Sequence, residues 1–176
     1  MNRRDFLTSL AAVPAALSLP TLAIAAEPPK AGAPAAAAGG KVKRFGDARD
    51  WFFEKRFGMF VHWGLYAIPG WHEQHQWRAR VPRAEFVKLA DQWNLVKFDP
   101  EQWLDLLQAA GMQYICLTTK HHDGFCLWDT KLTRFSTMTT PYKRDIVGLL
   151  AEACHKRKVP LCLYYSIADW NQPNYP

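Results

Sequence analysis

The sequence predicts an α/β chain of parallel strands joined by crossover helices, and a repeated pattern is the main observation behind that prediction. In residues 99–119, and again in residues 145–165, a capped amphipathic helix runs directly into an apolar strand. Parallel neighbours cannot be joined by a tight turn, so helix-into-strand repetition means crossover connections. A second observation is that no G-x-G-x-x-G follows any strand, which removes the main support for a dinucleotide-binding sheet. A (β/α) barrel and a doubly wound sheet both fit.

Each element has its own local reason. Residues 57–61 form a short apolar run of strand length. Residues 82–91 open with Pro82 and place Phe86, Leu89 and Ala90 on one side, which suits a short helix. The next helix is the clearest: Asp99 caps it and Pro100 takes the first helical position. Trp103, Leu106, Leu107 and Ala110 recur at helical spacing, and Gly111 ends it in a left-handed conformation. The strand at 114–119 follows. Asp145 then caps a helix with Ile146, Leu149, Leu150 and Ala153 on its stripe. Its basic end, Lys156-Arg157-Lys158, complements the helix dipole, and Pro160 precedes the strand at 161–165. This makes about three strands, whereas a closed barrel needs eight. The chain is expected to be the first part of a longer domain.

The N-terminus reads as an address. Asn2-Arg3-Arg4-Asp5-Phe6-Leu7 has a twin-arginine arrangement, residues 10–23 are apolar, and Ala23-Ile24-Ala25 offers small residues for cleavage. Residues 1–26 are expected to direct export to the periplasm or beyond. The apolar run, broken by Pro14 and Pro20, is too short for a stable membrane span. Residues 27–46, rich in Ala, Pro and Gly, are expected to be a linker, and 47–176 the folded part. The net charge of +6 is spread out and the aromatics follow strand and helix patterns, which argues against a nucleic-acid partner. Cys116, Cys126, Cys154 and Cys162 form no C-x-x-C pair and are expected to be free, mostly buried thiols.

Chemistry-bearing residues gather at strand ends, where α/β proteins place their sites. Phe60-Val61-His62-Trp63-Gly64 ends the first strand, Lys120-His121-His122-Asp123-Gly124-Phe125 the second, and Tyr164-Tyr165-Ser166 the third. Neutral imidazoles each offer one donor and one acceptor, which suits hydroxyl groups. The same three histidines, His62, His121 and His122, are also candidate metal ligands if the strand ends where His121 and His122 begin. A structural histidine is the plain alternative for any one of them. His72 and His75 lie in a polar loop that would line the rim, and His155 in a solvated helix end. Trp63, Trp71, Trp77 and Trp170 sit in strand-end loops, where an indole can pack on a sugar face or simply plug its loop. Trp103, on the helix stripe, is read as core.

These motifs resemble glycoside hydrolase family 29, the α-L-fucosidases. The resemblance rests on Trp51-Phe52-x-x-x-Arg56-Phe57-Gly58-Met59-Phe60-Val61-His62-Trp63-Gly64, on Lys120 to Phe125, and on Tyr164-Tyr165-Ser166 with Asp169-Trp170. It implies a (β/α)8 TIM-like barrel, of which this chain holds only the N-terminal part. It also implies a retaining mechanism, a fucosylated glycan as substrate, and neither metal nor cofactor. By the resemblance His62, Trp77, His121, His122 and Tyr165 bind the sugar, with Gln76, Trp63 and Tyr164 as further candidates. Tyr164 is secondary because neighbours in a strand alternate sides. Gln76 stands where the family usually has Glu before the pocket Trp, which weakens or retunes that contact. Asp123 and Asp169 match positions that are not the nucleophile and are read as orienting groups. The nucleophilic Asp and the acid/base are expected beyond Pro176. The alternatives are a metal-dependent barrel hydrolase built on His62, His121 and His122, and a non-catalytic carbohydrate-binding relic.

Overall fold

The computed structural model describes residues 43–175. The expected targeting segment, residues 1–26, and residues 27–42 of the expected linker lie outside the described residues. Asp47 accepts the Arg49 N–H at 2.9 Å and starts a 3-10 turn that leads into α1 (Trp51–Glu54). After it come β1 (Met59–Val61), α2 (His75–Arg78) and α3 (Arg83–Phe86). The remaining elements are α4 (Pro100–Ala109), β2 (Ile115–Lys120), α5 (Ile146–Arg157) and β3 (Leu161–Tyr165).

The strands form one parallel sheet in the order β1-β2-β3, so the expected α/β architecture with crossover helices is present. Phe60 pairs with Cys116, and Cys116 with Cys162. Thr118 pairs with Tyr164 but Lys120 pairs with Tyr165, so β2 carries one extra residue. Thr119, the extra residue, donates its hydroxyl to the Tyr164 carbonyl at 2.8 Å. Among the described residues no helix is long and apolar enough to cross a membrane.

One face of the sheet is covered by helices. Ile115 and Leu117 are fully buried there, in one core cluster with Leu104 and Leu107 of α4 and Ile146 and Leu150 of α5. Burying each such side chain contributes about 1.5–3 kcal/mol. The caps are where the sequence places them: Asp99 Oδ1 accepts from Glu101 N at 2.9 Å, and Asp145 Oδ1 from Gly148 N at 2.7 Å. Gly111 ends α4 with φ +72°. The opposite face of the sheet, bearing Phe60, Cys116, Cys162 and Tyr164, is exposed or half-buried. All four cysteines are free.

Two local expectations change. The buried side of α4 is Leu104 and Leu107 with Trp103 half-buried beside them, while Leu106 is 62% exposed and Ala110 is exposed. At 3.6 residues per turn Leu106 lies about 200° round from Leu104, so the two cannot share the covered side. The helix expected over 82–91 is a single α turn that tightens into a 3-10 segment, Val87–Gln92. That tightening brings the Trp93 N–H to the Ala90 carbonyl at 3.1 Å and sinks the Trp93 indole into the core.

Candidate functional site

β1 and β2 end side by side, which brings their histidines together. The His62 and His121 rings lie 5.5 Å apart, and those of His121 and His122 lie 4.4 Å apart. His121 is almost fully buried against Tyr164, whose ring stacks on it at 5.1 Å and 19°, whereas His62 is exposed. Burial, with His122 and His62 adding to it, pushes the His121 imidazole down to about 4, so it is neutral near pH 7.

Hydrogen bonds set which ring nitrogen of each imidazole carries the proton. His121 Nδ1 accepts the backbone N–H of His122 at 2.9 Å, so neutral His121 bears its proton on Nε2. Ser166 is buried and gives its hydroxyl proton to the Ala168 carbonyl at 3.0 Å. With its proton placed there, it is the acceptor in its 2.5 Å contact with His122 Nδ1. Neutral His122 then has Nε2 as an acceptor. The two neighbouring rings offer one donor and one acceptor, a pattern that suits a vicinal diol. The Trp170 indole packs on His122 at 5.1 Å, and the Trp170 backbone N–H donates to the His122 carbonyl at 2.6 Å.

Behind this cluster lies a buried polar support. Lys120 donates to the Ser166 carbonyl at 3.0 Å and sits 3.3 Å from Asp169 Oδ2. Asp123 is buried, accepts the Phe125 N–H at 3.1 Å through Oδ1, and leaves Oδ2 without a partner. Burial pushes its carboxyl up to about 7, with nearby Asp169 adding to the effect. Neither Asp123 nor Asp169 is presented to the open face as a free carboxylate.

Not every candidate joins the cluster. Tyr164 does and Tyr165 does not, reversing the order expected from the sequence. Tyr164 shares the sheet face of Phe60 and His62, with its ring 6.1 and 6.2 Å from theirs. Tyr165, on the opposite side of β3, lies against Trp128 at 6.2 Å and under the Lys120 ammonium at 4.9 Å. Alternation along the strand holds, with the opposite parity. Trp63 also departs: its ring packs on Trp93, Phe98 and Trp103 at 5.2–5.3 Å, so it plugs the core. Trp77 is exposed at the rim and stacks on Trp170 at 6.1 Å and 29°. Gln76 lies beside it with Oε1 buried and unpartnered. Among the rim histidines, His75 packs between Trp71 and Phe86, and burial lowers its affinity for a proton.

Glu73 and Ser166 were not singled out by type or spacing. The Glu73 carboxyl is held below its usual range. Burial opposes this, but its own backbone N–H and the neighbouring imidazoles of His121, His72 and His62 outweigh it. No periodic pattern marks Glu73, and only its loop position hinted at a rim role. Among the described residues no three His, Cys, Asp or Glu side chains are grouped to hold a metal ion.

Comparison with known proteins identifies the family. The family model described as alpha-L-fucosidase matches residues 41–176. The tissue alpha-L-fucosidase of Rattus norvegicus is 37% identical over 142 residues, which cover 71% of this chain and 31% of the rat protein. The crystal structure of an alpha-L-fucosidase GH29 from Bacteroides thetaiotaomicron superposes with a TM-score of 0.71 at 41% identity, covering 79% of this chain and 34% of that one. A trapped covalent intermediate of the alpha-L-fucosidase from the same organism, formed with 2-fluoro-fucosyl fluoride in a glutamate-to-glutamine mutant, superposes equally well. That match has a TM-score of 0.71 at 39% identity, covering 78% of this chain and 34% of that one. The chain thus spans about a third of the length of these relatives. With its motifs, its sheet and its histidine cluster all in the matched region, the chain belongs to the α-L-fucosidase family.

Proposed function

We propose that the protein carrying this chain is an α-L-fucosidase that removes terminal α-L-fucosyl residues from glycans with retention of configuration. The observation that carries this is the juxtaposition of His62, His121 and His122 at two adjacent strand ends, walled by Tyr164 and Trp170. His121 Nε2–H and His122 Nε2 grip adjacent hydroxyls of the sugar, His62 takes a third, and Glu73 accepts from the hydroxyls nearest the rim. Trp77 and Tyr164 bound the sugar face. In this reading the three strands are the first part of a (β/α)8 barrel, and the open sheet face is its interior. The twin-arginine leader carries the folded protein out of the cytosol.

Retention needs a nucleophilic carboxylate and an acid/base held about 5–5.5 Å apart. Asp123 is buried and Asp169 is engaged with Lys120, so neither is placed for these roles, and this reading takes both catalytic carboxyls from the rest of the protein. The covalent intermediate trapped in the Bacteroides relative supports a two-step displacement here. The test is hydrolysis of 4-nitrophenyl α-L-fucoside by the full-length protein, with the anomer of the first-formed product read by NMR. Release of α-fucose supports the reading. Absence of turnover, or β-fucose as first product, overturns it.

A further inference from the structure

Beyond Trp170, which packs on His122, lies a cavity of about 850 Å³, large enough for more than one sugar ring. Trp170 links the two spaces. Its ring lies 5.1 Å from His122 on one side and stacks on Trp77, 6.1 Å away, on the other. Trp77 is 67% exposed, so an indole face remains open along the cavity wall. Such a surface suits the apolar side of a pyranose. Gln76 is also in the lining, with its Oε1 buried just behind the wall and without a partner.

The remaining feature of this wall is charge. Arg78 and Arg80 both line the cavity, and among the described residues no Asp or Glu does. Among the described arginines only Arg44, Arg49 and Arg157 meet a carboxylate. Arg78 instead gives its Nε–H to the amide oxygen of Gln74 at 2.7 Å, and neither Arg78 nor Arg80 forms an ion pair among the described residues. Arg80 is also strained. Its φ of +51° is the left-handed conformation that usually falls to Gly or Asn after a helix, here just past α2. Two backbone bonds hold it there: Arg80 N–H to the Trp77 carbonyl at 3.2 Å, and Val81 N–H to the Gln76 carbonyl at 3.0 Å. A bulky cation in a strained place is the kind of feature that clusters at binding sites.

We propose that this groove is an outer subsite for the sugar to which fucose is attached, and that it selects sugars bearing an anionic group, a sulfate ester or a carboxylate. The inference rests on the fucoside reading of the neighbouring histidines. Guanidinium forks match the planar or tetrahedral oxygens of both anions, and the indole wall holds the ring that carries them.

The test uses the full-length protein and four substrates: 4-nitrophenyl α-L-fucoside, a neutral fucosyl-galactoside, its sulfated form, and the corresponding fucosyl-galacturonide. At low salt kcat/KM is expected to be about fivefold higher for at least one anionic disaccharide than for the neutral one, as two rim-exposed ion pairs allow. The ratio should fall toward one in high salt, and likewise in Arg78→Gln/Arg80→Gln, while Arg78→Lys/Arg80→Lys retains part of it. A response to sulfate alone or to carboxylate alone supports the subsite and names its anion. Turnover of the nitrophenyl fucoside with equal or poorer use of both anionic disaccharides overturns this inference and leaves the fucosidase reading standing. No turnover of any of the four overturns both. The substrate and salt comparisons need no variant, so a misfolded mutant does not rescue the proposal.

Discussion

Lys120 Nζ lies 3.3 Å from Asp169 Oδ2, joining the end of β2 to the loop that follows β3. The pair is 6% and 19% exposed, so the lysine is shielded from water and depends on its partners. Removing one member of such a pair strands the other charge and costs about 3 kcal/mol. Asp169→Asn and Lys120→Met are each expected to lose about that much stability in urea unfolding. The double variant should recover part of the loss, because no charge is then left unpaired. Single variants that lose under about 1 kcal/mol would show the pair to be well solvated instead.

Gly124 is fixed by the same carboxylate. Its φ is +82°, and a Cβ there would run into the Asp169 carboxyl group and lie 2.9 Å from Asn171 Cβ. Gly70 provides a control, with φ +72° and nothing within 4 Å. Gly70→Ala should cost only the backbone strain, about 1 kcal/mol. Gly124→Ala should cost at least about twice that, because Asp169 must also move. Equal losses in thermal or urea unfolding would show that the contact with Asp169 yields freely.

His121 and Asp123 make opposite contributions to the pH dependence of stability. Burial, with His122 beside it, lowers His121 from 6.5 to about 4. Between those values the unfolded chain holds a proton that the folded chain does not, so this contribution to stability falls as pH drops from 6.5 toward 4. Burial, with Asp169 near it, raises Asp123 from 3.8 to about 7. Across that window the folded chain holds the extra proton, so this contribution falls as pH rises. From about pH 4 to 6.5 the two nearly cancel. Asp123→Asn removes the second and exposes the first, giving stability that rises with pH by up to about 1.4 kcal/mol per unit relative to wild type. Parallel stability–pH curves for variant and wild type, from urea midpoints, would refute the opposition.

The sequence made the scaffold legible wherever local chemistry decides structure. Asp99, Pro100 and Gly111 mark the ends of α4, and Asp145 the start of α5, because caps depend on residues only a few positions apart. Strand-end clustering of His62, His121 and His122 was legible for a similar reason, since parallel strands joined by crossovers end on the same side. The face of each strand was harder. A period of two gives alternation but not parity, and only pairing of Thr118 with Tyr164 puts Tyr164 beside His121 and turns Tyr165 toward Trp128. Trp63 stayed open between pocket and plug because an indole at a strand end reads the same whether it faces a pocket or, as here, Trp93, Phe98 and Trp103. Ser166 was missed as a positioning group because its partner is 44 residues away and no spacing links the two.

That hydroxyl provides the sharpest test of the sugar site. Ser166 holds His122 through Nδ1 at 2.5 Å, and its own proton is committed to the Ala168 carbonyl at 3.0 Å. In Ser166→Ala the ring loses its fixed acceptor, so Nδ1–H no longer has a reason to be preferred, and Nε2 ceases to be a dedicated acceptor for substrate. Losing one hydrogen bond of this kind costs about 1–1.5 kcal/mol, or roughly tenfold in KM for 4-nitrophenyl α-L-fucoside with the full-length protein. Ser166→Thr keeps the hydroxyl and should restore most of the loss. Nitrogen-15 NMR of the imidazoles gives the readout that a purely structural role would not produce. Wild type should show neutral His122 protonated at Nδ1 and neutral His121 at Nε2, and Ser166→Ala should shift only His122 toward the Nε2–H form. An unchanged His122 tautomer in that variant would mean that the ring is oriented by its packing against Trp170 and not by the serine.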